Sequence, residues 1–193
     1  MSTISTNQLT AEQFFDWVHQ PENIDRSFEL DRGEVIEVPP PGKYHGFVCG
    51  NVAGILREFS KRRGHGYVCT NDSGLIIERD PDSVHGPDVT FYDDDETADD
   101  MERRYSTKPP LLAVEVMSPN DRVNRVMSKV GQLLDYGVPV VWVVDPEAKD
   151  VSICRAGQQS KLLTDADTIR GEAGLADFEC PVAEFFAMPG SKR

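Results

Sequence analysis

Leu111-Leu112-Ala113-Val114-Glu115-Val116-Met117-Ser118 is the stretch on which the fold turns. Leu111 to Val116 is an apolar run broken by one acid, closed by Ser118-Pro119-Asn120-Asp121, and it reads as a buried strand. Alternate residues of a strand share a face, so Leu111, Ala113, Glu115 and Met117 point one way and Leu112, Val114 and Val116 the other. Upstream, Pro87-Asp88 opens a shorter β-like run, Val89-Thr90-Phe91-Tyr92. Downstream, Arg122 to Tyr136 sets Val123, Val126, Val130, Leu133 and Leu134 on one helical stripe, stopped by Gly137 with Pro139 beyond. Val138 to Asp145, with Val140-Val141-Trp142-Val143-Val144 inside it, reads as a second, fully buried strand. Strand, helix and buried strand in this order predict a crossover connection pairing into the sheet.

A carboxylate in so apolar a strand is costly to ionise unless a cation or hydrogen-bond donors meet it. Asp88 begins one strand and Glu115 sits deep in the next, and two such acids on neighbouring strands make a site for a hard divalent cation. Equally open on these residues alone is a plainer arrangement, in which Asp88 caps a turn and Glu115 meets an arginine. Lys129 falls roughly 90° from the centre of its helix's apolar stripe, with Arg122 and Arg125 on the same flank. A lysine at that margin can lean across the sheet, or snorkel to water.

Around this centre, Thr10-Ala11-Glu12-Gln13 has the capping-box pattern of a short helix, and residues 1–9 read as frayed. Ser27 to Asp31 and Glu34 to Val38, joined at Arg32-Gly33, read as a hairpin carrying Glu29. Tyr44 to Arg63 reads as a long helix with Val48, Val52, Ile55, Leu56 and Phe59 at helical spacing and His45 on the same face near its start. Its end, Lys61-Arg62-Arg63-Gly64, suits the helix dipole and offers charge to a phosphate. Gly66 to Thr70 and Gly74 to Glu78 read as strands. Residues 93–110 read as a loop within the domain, 151–164 as a late hairpin, and Leu175 to Ala187 as a tail packed by Leu175, Phe178, Phe185 and Phe186.

The chain of 193 residues fits one domain with a substantial core. No apolar run approaches the ~20 residues of a membrane span, and Met1 to Thr10 lacks the charged and apolar regions of a signal peptide, so a cytoplasmic, membrane-free protein is expected. Cys49, Cys69, Cys154 and Cys180 show neither zinc spacing nor a disulfide framework. The net charge of −13 argues against a protein that coats nucleic acid non-specifically. Part of that charge is the run Asp93-Asp94-Asp95-Glu96-Thr97-Ala98-Asp99-Asp100, read as a solvated loop.

Hydrolysis of a phosphodiester needs charge neutralisation, an activated water and a stabilised leaving oxygen, most of which carboxylate-held Mg²⁺ supplies. Asp88, Glu115 and Lys129, with Glu29 as a further acid, make a compatible set. Met117 stands two residues beyond Glu115 on the same face, where a strand-borne lysine would serve, and Lys129 could supply that ammonium from the helix.

In Phe28-Glu29-Leu30-Asp31-Arg32-Gly33-Glu34, Pro39-Pro40 ahead of His45, Gly86-Pro87-Asp88-Val89, Ala113-Val114-Glu115-Val116-Met117-Ser118-Pro119, Lys129, Tyr136-Gly137-Val138 and Trp142-Val143-Val144-Asp145-Pro146, the sequence resembles the Uma-two family of restriction-endonuclease-like proteins, within the PD-(D/E)XK nuclease superfamily. The resemblance spans residues ~26–146 in order. It implies an α/β fold of the α+β-type, with a restriction-endonuclease-like core in which a central mixed β-sheet is flanked by helices. One domain over 1–193 is implied, with 147–193 as a C-terminal hairpin and tail. It further implies Asp88 and Glu115 as metal ligands, Lys129 as a displaced catalytic lysine, Glu29 as the N-terminal acid and His45 as the motif histidine. Met117 departs from the superfamily's plain pattern. The expected activity is Mg²⁺-dependent endonucleolytic hydrolysis of DNA, with Mn²⁺ as substitute ion, Arg122 and Arg125 as phosphate contacts, and a homodimer as a compatible assembly. The alternative is a catalytically inactive, nuclease-like module that binds metal or nucleic acid.

Overall fold

The computed structural model describes residues 3–4, 8–119, 121–172, 174–188 and 190. In chain order the elements are β1 (Thr3–Ile4), α1 (Ala11–Val18), β2 (Ser27–Asp31), β3 (Glu34–Val38), α2 (Lys43–Arg63), β4 (Tyr67–Thr70), β5 (Leu75–Glu78), β6 (Ser83–His85), β7 (Val89–Tyr92), β8 (Leu112–Val116), α3 (Val123–Tyr136), β9 (Val140–Asp145), β10 (Asp150–Cys154), β11 (Lys161–Thr164), β12 (Thr168–Glu172) and β13 (Leu175–Pro181). A short 3₁₀ helix, Val182–Phe185, follows.

The main sheet runs β11-β10-β9-β8-β7-β4 and is mixed. β8 and β9 lie parallel, with Ala113 opposite Val141 and Glu115 opposite Val143, and the other neighbours are antiparallel. The β8–α3–β9 unit is therefore the crossover that the apolar runs predict. All five residues of β8 are buried, as are Val140 to Val144 of β9, because both faces of the sheet are covered.

Alternation along β8 divides the core. Leu112, Val114 and Val116 pack with Val48, Val52, Leu56 and Phe59 of α2 and with Trp142, Phe178 and Phe185, whereas Ala113 packs with Val130 and Leu133 of α3. Leu111 departs from the expected alternation: it precedes the paired strand and packs on the α2 side. Val123 also leaves its predicted stripe and is exposed at the first turn of α3, so burial there begins at Val126 and Val130.

A five-stranded sheet, β1-β3-β2-β6-β5, backs onto α1 through Ala11, Phe14, Leu30, Val35, Ile76 and Val84. Two short strands complete this sheet. Thr3–Ile4 pairs with β3, which corrects the reading of residues 1–9 as wholly frayed, although residues 1, 2 and 5–7 lie outside the described residues. Ser83–His85 is a strand between β2 and β5. The tail forms the β12–β13 hairpin, and its Phe178 and Phe185 rings lie 5.6 and 5.9 Å from the Trp142 ring. Asn120, within the turn predicted after β8, lies outside the described residues. Among the described residues no helix is long and apolar enough to cross a membrane.

Candidate functional site

Five elements send polar side chains to one place beside β8. Glu115 comes from the strand itself, Lys129 from α3, Glu29 from β2, Asp88 from the residue preceding β7, and His45 from the first turn of α2. The register explains the nearness of the two central acids. β7 and β8 pair antiparallel with Val89 opposite Val114, so one residue further along Asp88 faces Glu115 across the pair. Asp88 Oδ2 accepts a 2.6 Å hydrogen bond from the Val116 backbone N–H, which fixes the carboxylate at the strand end.

Lys129 reaches inward from its helix margin. Its Nζ lies 3.0 Å from Glu29 Oε1, 3.1 Å from Glu115 Oε2 and 3.1 Å from the Gly86 carbonyl oxygen. An ammonium has three hydrogens to donate, and here it finds three acceptors. Burial disfavours its charge, but Glu115 and Glu29 outweigh burial and hold it protonated far above the ordinary lysine range. Of the alternatives open in the sequence, Glu115 thus meets a cation, and the cation is Lys129 rather than an arginine.

Glu29 behaves oppositely to Glu115. Burial pushes the Glu29 carboxyl up, but Lys129 and His85 overcome this and hold it well below the usual carboxylate range. Arg125 Nη2 lies 3.5 Å from its other oxygen. Burial pushes the Glu115 carboxyl up to about 8, and repulsion from Asp88 and Glu29 adds to burial against the pull of Lys129. His45 Nε2 is 3.3 Å from Asp88 Oδ1, and its Nδ1 is 3.5 Å from Cys49 Sγ. Hydrogen bonding to Asp88, then to Cys49, pushes the imidazole up to about 10.

The charges then sort themselves. Lys129 answers Glu29, and His45 answers Asp88. Glu115 is the surplus carboxylate, and its Oε1 is buried with no hydrogen-bond partner among the described residues. Such a group takes up either a proton or a cation. The oxygen-only donor pair of Asp88 and Glu115, one of whose oxygens lacks a hydrogen-bond partner among the described residues, fits a hard divalent ion.

The remaining expected residues fall nearby or elsewhere. Met117 is partly buried against the α3-side cluster, so no strand-borne ammonium competes with Lys129. Arg122 is the exposed N-cap of α3. The Lys61–Arg63 end of α2 does not join the site. It lies at the other end of a 21-residue helix from His45, roughly 25 Å away at 1.5 Å per residue, and Lys61 and Arg63 pair with Glu58 and Asp93.

Three neighbours were missed from sequence. His85 Nδ1 sits 3.6 Å from Glu29 Oε1. Asp72, in the loop after β4, has its carboxyl pushed above the usual range, first by desolvation and then by Asp88. Asn71 and Asp72 are both left-handed, at φ 60° and 52°, and this turn presses on Gly86: a Cβ there would stand 2.2 Å from the Asp72 carbonyl oxygen. The only signal was the turn-forming Asn71-Asp72-Ser73-Gly74. Gly86→Ala is expected to force the two loops apart, costing about 1–3 kcal/mol and loosening the carbonyl that accepts from Lys129. Urea denaturation checks this, and an unchanged midpoint would show that the loop yields freely.

Comparison with known proteins accords with this architecture. The family model described as "Uma2: Putative restriction endonuclease" matches residues 11–183. No curated protein matches the sequence. Among solved structures, the crystal structure of "a putative nuclease belonging to DUF820" from Anabaena variabilis superposes with a TM-score of 0.76 at 16% identity, covering 92% of this chain and 97% of that one. At that identity the likeness speaks for the fold. The family match takes in β2, α2, β7, β8, α3 and β9, the elements that carry or frame the polar cluster, and the chain belongs to the Uma2 family.

Proposed function

We propose that the chain is a Mg²⁺-dependent endonuclease that hydrolyses DNA phosphodiester bonds, with Asp88 and Glu115 as ligands of the ion. The observation that carries this reading is the buried Glu115 oxygen that has no hydrogen-bond partner among the described residues, on the residue whose register faces Asp88. A divalent ion held there supplies neutralisation of the attacked phosphate and a bound water of lowered pKa. The chain's own residues do the rest. Asp88 keeps its position through the Val116 N–H. Lys129 is held protonated, so it serves as a fixed positive charge rather than as a base, and it orients the attacking water by releasing one of its three present acceptors. Glu29 holds Lys129 in place from the opposite side. Arg125 and the exposed Arg122 at the start of α3 offer charge to the flanking phosphates, the main source of affinity for a protein of net charge −13.

A second reading, a nuclease-like module without turnover, draws on the same net charge and on Lys129 having its three hydrogens already engaged. Incubation of supercoiled plasmid with the protein and Mg²⁺ or Mn²⁺ separates the two. The nuclease reading expects nicking or linearisation that disappears with chelator and falls about 100-fold or more in Asp88→Asn. Equal, intact plasmid with wild type and variant across DNA substrates would refute it.

A further inference from the structure

Cys49 plays no part in the reading above, yet it stands one helical turn from His45 on α2, and residues four apart share a helix face. One imidazole nitrogen of His45, the Cys49 sulfur and one Asp88 oxygen all lie within 4.8 Å of one another. A tetrahedral ion with donors at ~2.0–2.3 Å spaces them roughly 3.3–3.6 Å apart; Nε2 of His45 meets Asp88 and Nδ1 meets Cys49, so the ring must turn to give one nitrogen to both. His45 and Asp88 are both largely buried, with side chains 10% and 15% exposed, and Cys49 is half-buried. Thiolate with imidazole is a donor pair that Mg²⁺ avoids and that Zn²⁺ and its neighbours take readily.

We propose that His45, Cys49 and Asp88 form a second cation subsite, selective for a thiophilic divalent ion of the Zn²⁺ class. Binding joins the ion to Sγ, one imidazole nitrogen and one carboxylate oxygen. It releases the thiol proton, the imidazole binds through an unprotonated nitrogen, and water completes the shell. Because Asp88 is common to both positions, filling this subsite withdraws a ligand from the hard ion. That consequence rests on the nuclease reading, whereas the thiophilic subsite itself does not.

Co²⁺ titration of the chelator-treated full chain tests the proposal without reference to cleavage. Expected are thiolate-to-cobalt charge-transfer absorption in the near ultraviolet and visible bands of tetrahedral Co²⁺, bleached by stoichiometric Zn²⁺ and only weakened by a large excess of Mg²⁺, which competes for Asp88. Cys49→Ser should abolish the charge-transfer band. His45→Gln should weaken Co²⁺ binding at least about tenfold, and Glu115→Gln should leave the band in place. The two α2 variants are independent, and circular dichroism on each reports its folding. Absence of the band in wild type would overturn the proposal. So would its survival in Cys49→Ser, which would assign it to Cys69, Cys154 or Cys180, or its loss in Glu115→Gln.

Discussion

Methionine in place of Lys129 is expected to lower the stability of the fold by about 3–5 kcal/mol at neutral pH, the cost of leaving a buried charge without its partner. Methionine keeps much of the volume and the stem packing but removes the one ammonium that Glu29, Glu115 and the Gly86 carbonyl share. The deficit should depend on pH, and its sign follows from Glu29. That carboxyl is held below 4.5 in the folded chain, so its contribution is present above pH 4.5 and disappears as pH falls through the lower folded value. Below pH 4.5 the variant and the wild type should therefore converge. Urea midpoints measured from pH 3 to 8 check this. A deficit under about 1 kcal/mol throughout would show that Lys129 carries no such burden.

Glu115→Gln should separate activity from stability. Losing one oxygen of the proposed ion site is expected to reduce the proposed Mg²⁺-dependent cleavage about 100-fold or more. Without metal, however, the variant should be the more stable protein, increasingly so as pH rises. Glu115 has its folded pKa raised from 4.5 to about 8. Between those values the folded chain holds a proton that the unfolded chain has lost, so wild-type stability falls with rising pH through this window and levels off above it. Glutamine keeps the shape and an acceptor for Lys129 without the surplus charge. The difference in melting temperature between variant and wild type should grow from pH 5 to pH 8, and Mg²⁺ at pH 8 should raise wild type alone. A pH-independent difference, or an equal response of both proteins to Mg²⁺, would contradict the assignment of Glu115 as the surplus acid.

Much of this site was legible in the sequence because apolar context makes charge conspicuous. Glu115 stood out in the run from Leu111 to Val116, and the fully buried β9 marked the crossover. Lys129 was visible only as a residue at a stripe margin, and the choice between leaning inward and snorkelling lay in β2, which supplies Glu29 from a different sheet. Long-range pairing of that kind leaves no periodicity behind. The same holds for β4 and β5, adjacent in sequence but hydrogen-bonded into separate sheets, and for the β12–β13 hairpin, whose strands alternate weakly. Asp72, His85 and the Gly86 carbonyl went unseen because they act through a left-handed turn, a strand three residues long and a backbone oxygen. The basic end of α2 drew attention as a phosphate contact, but ion pairs with Glu58 and Asp93 account for Lys61 and Arg63.

Glu115 and Asp88 are proposed to share a hard cation across the β7–β8 pair. A crystal soaked with Mn²⁺, with its anomalous scattering mapped, tests this most directly. One strong peak is expected, bonded to a carboxylate oxygen from each of Asp88 and Glu115 at roughly 2.0–2.3 Å, with Lys129 Nζ still beside Glu115. An anomalous map without a peak at these two acids, or with manganese held by other residues while Glu115 keeps its proton, would contradict it.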